Sequence, residues 1–276
     1  MLDGIIEEVG EKNVVQIVTD NAPNYVSAGK LLMRKRKHLY WTPCAAHCID
    51  LILEKIGELK RMDTLITKSK EIAKFIYNHT WVLDKMRSFT EKRLLGLKSG
   101  LKKFFVSEEW STSKFAFMED GRNVEDLVLD SNFWRKMESA QKMIDPIVQV
   151  LRMVDGDYKP SMGYIYDAME KAKLVIAEVC GNDPLQYGDI WKIIDKRVEQ
   201  KFHLALHLAG YYLNPSIQYY QDFENDSDIR RGLQEAINVL EWDEERKIEA
   251  INELRLNELS KTLLQLDTSD CFKITS

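Results

Sequence analysis

The chain of 276 residues is 45% hydrophobic and 30% charged, a globular balance with enough apolar material for one large or two smaller cores. No run of 18 apolar residues occurs, so no membrane span is expected. Four scattered cysteines, Cys44, Cys48, Cys180 and Cys271, exclude a disulfide framework and suit a reducing compartment.

The net charge of −5 is unevenly divided, with 19 Lys and Arg against 12 Asp and Glu over residues 1–105 and 20 against 32 over 106–276. A basic front half fits a nucleic-acid contact, and it equally fits a solvated surface with chance asymmetry. The opening residues Met1-Leu2-Asp3-Gly4 do not read as a secretory leader.

Leu2, Ile5, Ile6 and Val9 predict a short first helix, stopped at Gly10. The β-branched run Val14 to Thr19 predicts a strand ending at Asp20. Pro23, with φ pre-set and no N–H to satisfy, predicts the start of a helix running to about Lys37. A second short strand is expected over His38 to Thr42, followed by an apolar helix headed by Cys44-Ala45-Ala46-His47. Beyond Gly57 helices are expected throughout. Leu65, Ile72, Ile76, His79, Leu83 and Met86 make one apolar stripe, and Phe133 to Val154 another, with a kink at Pro146. Further helices are expected over Ser161 to Cys180, Asp189 to about Leu208 and Asp226 to about Leu264. Breaks are expected at Asp155-Gly156-Asp157, Gly181-Asn182-Asp183-Pro184 and Asn214-Pro215.

Two stretches carry a resemblance. Thr19-Asp20-Asn21-Ala22-Pro23-Asn24-Tyr25, followed by Trp41-Thr42-Pro43-Cys44-Ala45-Ala46-His47-Cys48-Ile49-Asp50-Leu51, resembles the hAT superfamily of DNA transposases, the plant branch above all. The likeness is close over residues 1 to about 90 and looser to about 255. It implies a chain that is mostly α with a small α/β part: a partial RNase H-like fold over 1–58, an all-helical insertion domain over 59–265, and a disordered tail over 266–276. It implies a nuclear location and DNA as a partner. No membrane and no small-molecule cofactor are expected, and oligomeric state stays open.

In that family Asp20 is the second carboxylate of a DDE triad. Such enzymes hold two divalent ions between carboxylates, one activating the nucleophile and one stabilising the leaving oxygen of an in-line phosphoryl displacement. Magnesium needs several hard oxygen ligands, and one Asp holds it poorly. The resemblance places the first Asp on an opening strand ahead of the helix at Leu2, and the Glu after the insertion domain. Neither position is represented. Glu253 and Glu258 can be nominated, but nothing around them matches the family's Glu motif. The expectation is therefore an inactive remnant without cofactor, Mg²⁺ belonging only to an intact enzyme, with Asp20 capping the Pro23 helix. A domesticated DNA- or protein-binding module and a piece of an active cut-and-paste transposase are the alternatives.

Cys44 and His47 form the family's CxxH pair and, with Cys48, are expected on one helix face. Zinc would need a second pair, so a buried small-residue face with His47 bonded near the cleft is expected instead. Arg34-Lys35-Arg36-Lys37 closes a helix, where cations favour the dipole. The same cluster is the candidate phosphate contact. A second basic patch, Lys92-Arg93 with Lys98 and Lys102-Lys103, sits beside Phe104-Phe105. Such interleaving can serve nucleic-acid stacking, but a packed amphipathic helix is the commoner origin and is expected here. After Met86-Arg87-Ser88-Phe89-Thr90 the family's Thr-Arg-aromatic motif, which helps hold DNA, is missing. His203 and His207 stand four apart without an acidic partner at a metal-motif spacing, so core packing is their expected role.

Overall fold

The computed structural model describes residues 2–89, 97–156, 162–201, 205–218 and 227–256. The chain opens with α1 (Leu2–Val9), β1 (Gln16–Thr19), α2 (Pro23–Lys35), β2 (Tyr40–Pro43) and α3 (Ala45–Gly57). Helices follow as α4 (Lys60–Asn78), α5 (Thr80–Phe89), α6 (Leu97–Phe105), α7 (Glu108–Ser111), α8 (Glu119–Leu129) and α9 (Ser131–Asp155). The remainder is α10 (Met162–Val179), α11 (Pro184–Lys201), α12 (Ala205–Tyr212), α13 (Pro215–Gln218), α14 (Ser227–Leu240) and α15 (244–256). The molecule is mostly helical with one small parallel sheet. No described helix is long and apolar enough to cross a membrane.

The elements group into two compact units. The first takes Met1–Asp50, Val150–Ala172 and Ile194–Ser276, and the second Leu51–Gln149 and Lys173–Ile193. This grouping interleaves the chain, whereas the sequence reading divides it in order, after residues 58 and 265. The expected tail over 266–276, and Thr90 to Gly96 where the DNA-holding motif is missing, lie outside the described residues.

In the first unit β1 and β2 pair in parallel, Gln16 opposite Tyr40 through Thr19 opposite Pro43, with α2 as the crossover that parallel strands require. Trp41 of β2 decides how α2 lies on the sheet. A Cβ built on Gly29 would stand 2.1 Å from the Trp41 ring, so only glycine lets the helix approach the indole this closely. The Trp41 Nε1–H then donates to Thr19 Oγ1 at 3.0 Å, tying β2 to the end of β1. Later in the chain α10 and α12 also meet through glycines: a Cβ on Gly163 would lie 2.8 Å from the Gly210 carbonyl. Asn214 Nδ2 donates to the Gly163 carbonyl at 3.3 Å beside them. Leu208, Tyr211, Tyr212, Ile229 and Leu233 fill the core between α12 and α14.

The second unit is built on aromatics. Trp110 is almost fully buried, with Phe104 and Phe105 against it at ring separations of 5.5 and 4.5 Å. Its Nε1–H donates to Glu125 Oε2 at 2.9 Å. The single stripe expected from Leu65 to Met86 is divided at His79, where α4 ends and its Nδ1–H donates to the Phe75 carbonyl at 2.8 Å. Past that break the phase slips, and Val82 rather than Leu83 is buried. Pro146 sits inside an uninterrupted α9 of 25 residues. Two of the expected breaks stand where they were placed, with Gly181 at φ 63° and Asn182 at φ 58° turning the chain between α10 and α11 and Asn214 separating α12 from α13. At the other, α9 ends at Asp155 and Asp157 lies outside the described residues.

Gly29→Ala is expected to cost about 3 kcal/mol, as overpacking against a rigid ring does, and to lower the urea midpoint accordingly. An unchanged midpoint would show that α2 can shift away from Trp41.

Candidate functional site

The family-matching residues converge on the C-terminal ends of β1 and β2, where parallel sheets place their chemistry. Asp20 is exposed, directly after β1. Its Oδ1 accepts from the Ala22 N–H at 2.9 Å, and the Thr19 hydroxyl donates to its carbonyl at 2.9 Å. The helix N-cap is Ala22, without a side-chain cap, and Pro23 opens α2. Asp20 therefore shapes the turn into the helix and does not cap its first turn, because its carboxylate stops one residue short. The Asn21 amide oxygen beside it is buried with no hydrogen-bond partner among the described residues.

The expected common face of Cys44, His47 and Cys48 divides. Cys44 precedes α3; its N–H donates to the Thr19 carbonyl at 2.6 Å and its carbonyl accepts from the Cys48 N–H at 3.1 Å. Cys48 is fully buried in the core. His47 is half-buried, and its ring makes no hydrogen bond among the described residues, so the expected bond near the cleft is not formed there. Among the described residues no group of three or more His, Cys, Asp or Glu side chains could hold a metal ion. The donors around Asp20 do not fit a pair of divalent cations, which need several oxygen ligands between them.

A cleft of about 430 Å³ opens beside the strand ends, lined by Thr42, Cys44, Asp155, Met162 and His207 among others. It gathers a thiol, a carboxylate and an imidazole from positions that sequence spacing does not connect. His207 was expected in a core role, and it is buried. Burial pulls its pKa down to about 4, so the ring is neutral at pH 7 and is not poised for proton transfer there. His203, its expected i,i+4 companion, lies outside the described residues.

The basic cluster Arg34 to Lys37 also divides. Arg36 is buried, with Nε 2.8 Å from Asp3, Nη2 3.1 Å from Glu7 and Nη1 2.7 Å from Glu11. Lys35 pairs with Asp3 as well. Both cations hold α1 and the turn behind it onto the end of α2, and Arg36 is closed to a phosphate by its own carboxylates. Arg34 and Lys37 remain exposed. In the second basic patch Lys92 and Arg93 lie outside the described residues, and Phe104 and Phe105 are buried and closed to base stacking. Lys98 there pairs with Glu138 at 2.6 Å.

Residues 1–72 match the model of a domain of unknown function (DUF659), a domain found in hAT-like transposase-related proteins. No curated protein matches the chain. No solved structure matches it either.

Hydrogen bonds from Lys35 and Arg36 hold the Asp3 carboxyl below its ordinary value of 3.8. A depressed carboxylate stabilises above its unfolded pKa and loses that contribution as pH falls through the folded one. Acidification below 3.8 is expected to loosen α1, and Arg36→Met to do so at neutral pH by leaving Glu7 and Glu11 unpaired and Asp3 with Lys35 alone. Amide exchange over residues 2–13 reads both, and unchanged protection in the variant would show that the apolar face of α1 suffices.

His207 gives a second pH window. Between its ordinary 6.5 and the folded value of about 4, the unfolded chain takes up a proton that the folded chain refuses. Stability is expected to fall by about 2–3 kcal/mol across that range. His207→Gln should remove this slope in urea melts at pH 7 and 4.5. Equal slopes in the two proteins would mean that the imidazole is solvated.

Proposed function

We propose that this chain derives from a hAT-type DNA transposase and has no transposase activity. In this reading β1, α2, β2 and α3 are part of an RNase H-like domain, and the helices from residue 59 are the insertion domain. The DUF659 match over residues 1–72, the parallel β-α-β unit and the carboxylate at the end of β1 support the derivation. The observation that carries the inactivity is the environment of Asp20. Its carboxylate holds the Ala22 N–H, and no described acidic side chain joins it in a metal-binding group. The expected nominee Glu253 lies on α15, exposed, and Glu258 lies outside the described residues.

The remaining activity in this reading is binding in the nucleus, to DNA or to protein. Arg34 and Lys37 are exposed and supply the phosphate-facing charge, with Lys35 and Arg36 acting as the staple behind them. Phosphate contact of this kind is independent of sequence and sensitive to salt. Replacing Arg34 and Lys37 with glutamine is expected to weaken duplex DNA binding uniformly across sequences and to flatten the salt dependence by about one unit of slope per cation. Incubation of the protein with duplex DNA and Mg²⁺ or Mn²⁺ is expected to give no strand cleavage. Cleavage abolished by Asp20→Ala would overturn the inactive reading and favour a piece of a working transposase.

A further inference from the structure

The second unit carries a cation-rich cleft of about 580 Å³ between α4 and α9. Lys60, Arg61 and Lys68 line it from α4 and Lys136 from α9, against the single carboxylate of Asp130. All four cations are exposed, and none forms an ion pair among the described residues. Two of them occupy the first turn of α4, the positive end of the helix dipole, where cations weaken the helix. The floor is apolar, with Met62, Leu65, Phe133 and Met143 at its base. Ser139 and Thr64 add polar edges. An apolar trough walled by cations suits a helix with carboxylates flanking aliphatic side chains. It suits a nucleic-acid backbone less well, since phosphates would leave the floor uncovered and the Phe133 ring is buried away from any base.

The chain itself holds such a helix. On α15 the inner side packs through Leu254 against the α12 and α14 core, while Ile248 and Leu256 stay 61% and 65% exposed. Glu245, Glu249 and Glu253 recur every four residues on its exposed side. Eight residues of α-helix rise about 12 Å, so the outer glutamates span the same length along α15 as Lys60 and Lys68 span along α4. Ile248 and Leu256, eight residues apart, match that length again.

We propose that the α4–α9 cleft of one copy of this chain receives α15 of a second copy, glutamates against the lysine walls and the two aliphatic side chains over the apolar floor. The cations of the cleft and Ile248 and Leu256 of α15 are exposed in the single chain, and bringing them together covers those two aliphatic side chains and balances charge of opposite sign.

Sedimentation of the full chain tests this. At low salt the average mass is expected to rise with concentration, and at high salt to fall back toward that of the single chain. Lys60→Glu with Lys68→Glu, or Glu245→Lys with Glu249→Lys, should each weaken association roughly tenfold or more, and mixing the two variants should restore it. The glutamine counterparts of all four substitutions, which introduce no opposite charge, should give intermediate association if either reversed variant fails to fold by circular dichroism. A chain monomeric at every concentration and salt would overturn the proposal. So would association indifferent to both sets of substitutions, or a lysine variant that loses duplex DNA binding while its association is unchanged.

Discussion

The contact between Gly29 and the Trp41 ring is what the strand-end region depends on. It brings α2 onto the two-stranded sheet at a distance no side chain would permit, since any Cβ would enter the ring. The same indole reaches Thr19 through its N–H, so one side chain sets the distance of the crossover helix and the alignment of the strand ends. Cys44 completes the arrangement by donating to the Thr19 carbonyl as β2 gives way to α3. The Asp20 turn and the mouth of the neighbouring cleft are positioned by these contacts. The chemistry-bearing residues here are also building elements, and Asp20 shows this most directly.

Charge in the first unit is handled in two ways. Arg36 is taken out of water and given three carboxylates, a geometry that suits the fixed fork of a guanidinium better than an ammonium. Arg34 and Lys37 stay in solvent. Neighbours in a run of four basic residues therefore have different physical roles, decided by the direction each leaves the end of α2. In the second unit the contrast lies between faces. Trp110, Phe104 and Phe105 are buried together, whereas the α4–α9 cleft gathers four exposed cations against the one carboxylate of Asp130 in its lining.

Much of the fold was legible because secondary structure is written in local periodicity. Asp155-Gly156, Gly181-Asn182 and Asn214-Pro215 could be identified as breaks from turn chemistry alone. The β-branched run before Asp20 and the proline after it located the first strand and the following helix to within two residues. The stripe from Leu65 to Met86 failed at His79 because periodicity reports spacing and does not report where a helix stops. A bond from the His79 ring to the helix behind it looks in sequence like one more apolar position.

The residue sequence by itself determined the order of elements, the lone carboxylate at the strand end and the likeness shared by residues 19–25 and 41–51. These properties follow from neighbours a few positions apart. Tertiary structure alone decided that Arg36 is a staple, that Cys44 and Cys48 face different surroundings, and that His207 stands with Cys44 and Asp155 at one cleft. Those facts depend on which faces of distant helices meet. That is set by the simultaneous packing of apolar stripes and glycine contacts such as Gly163 with Gly210, and no local spacing records it.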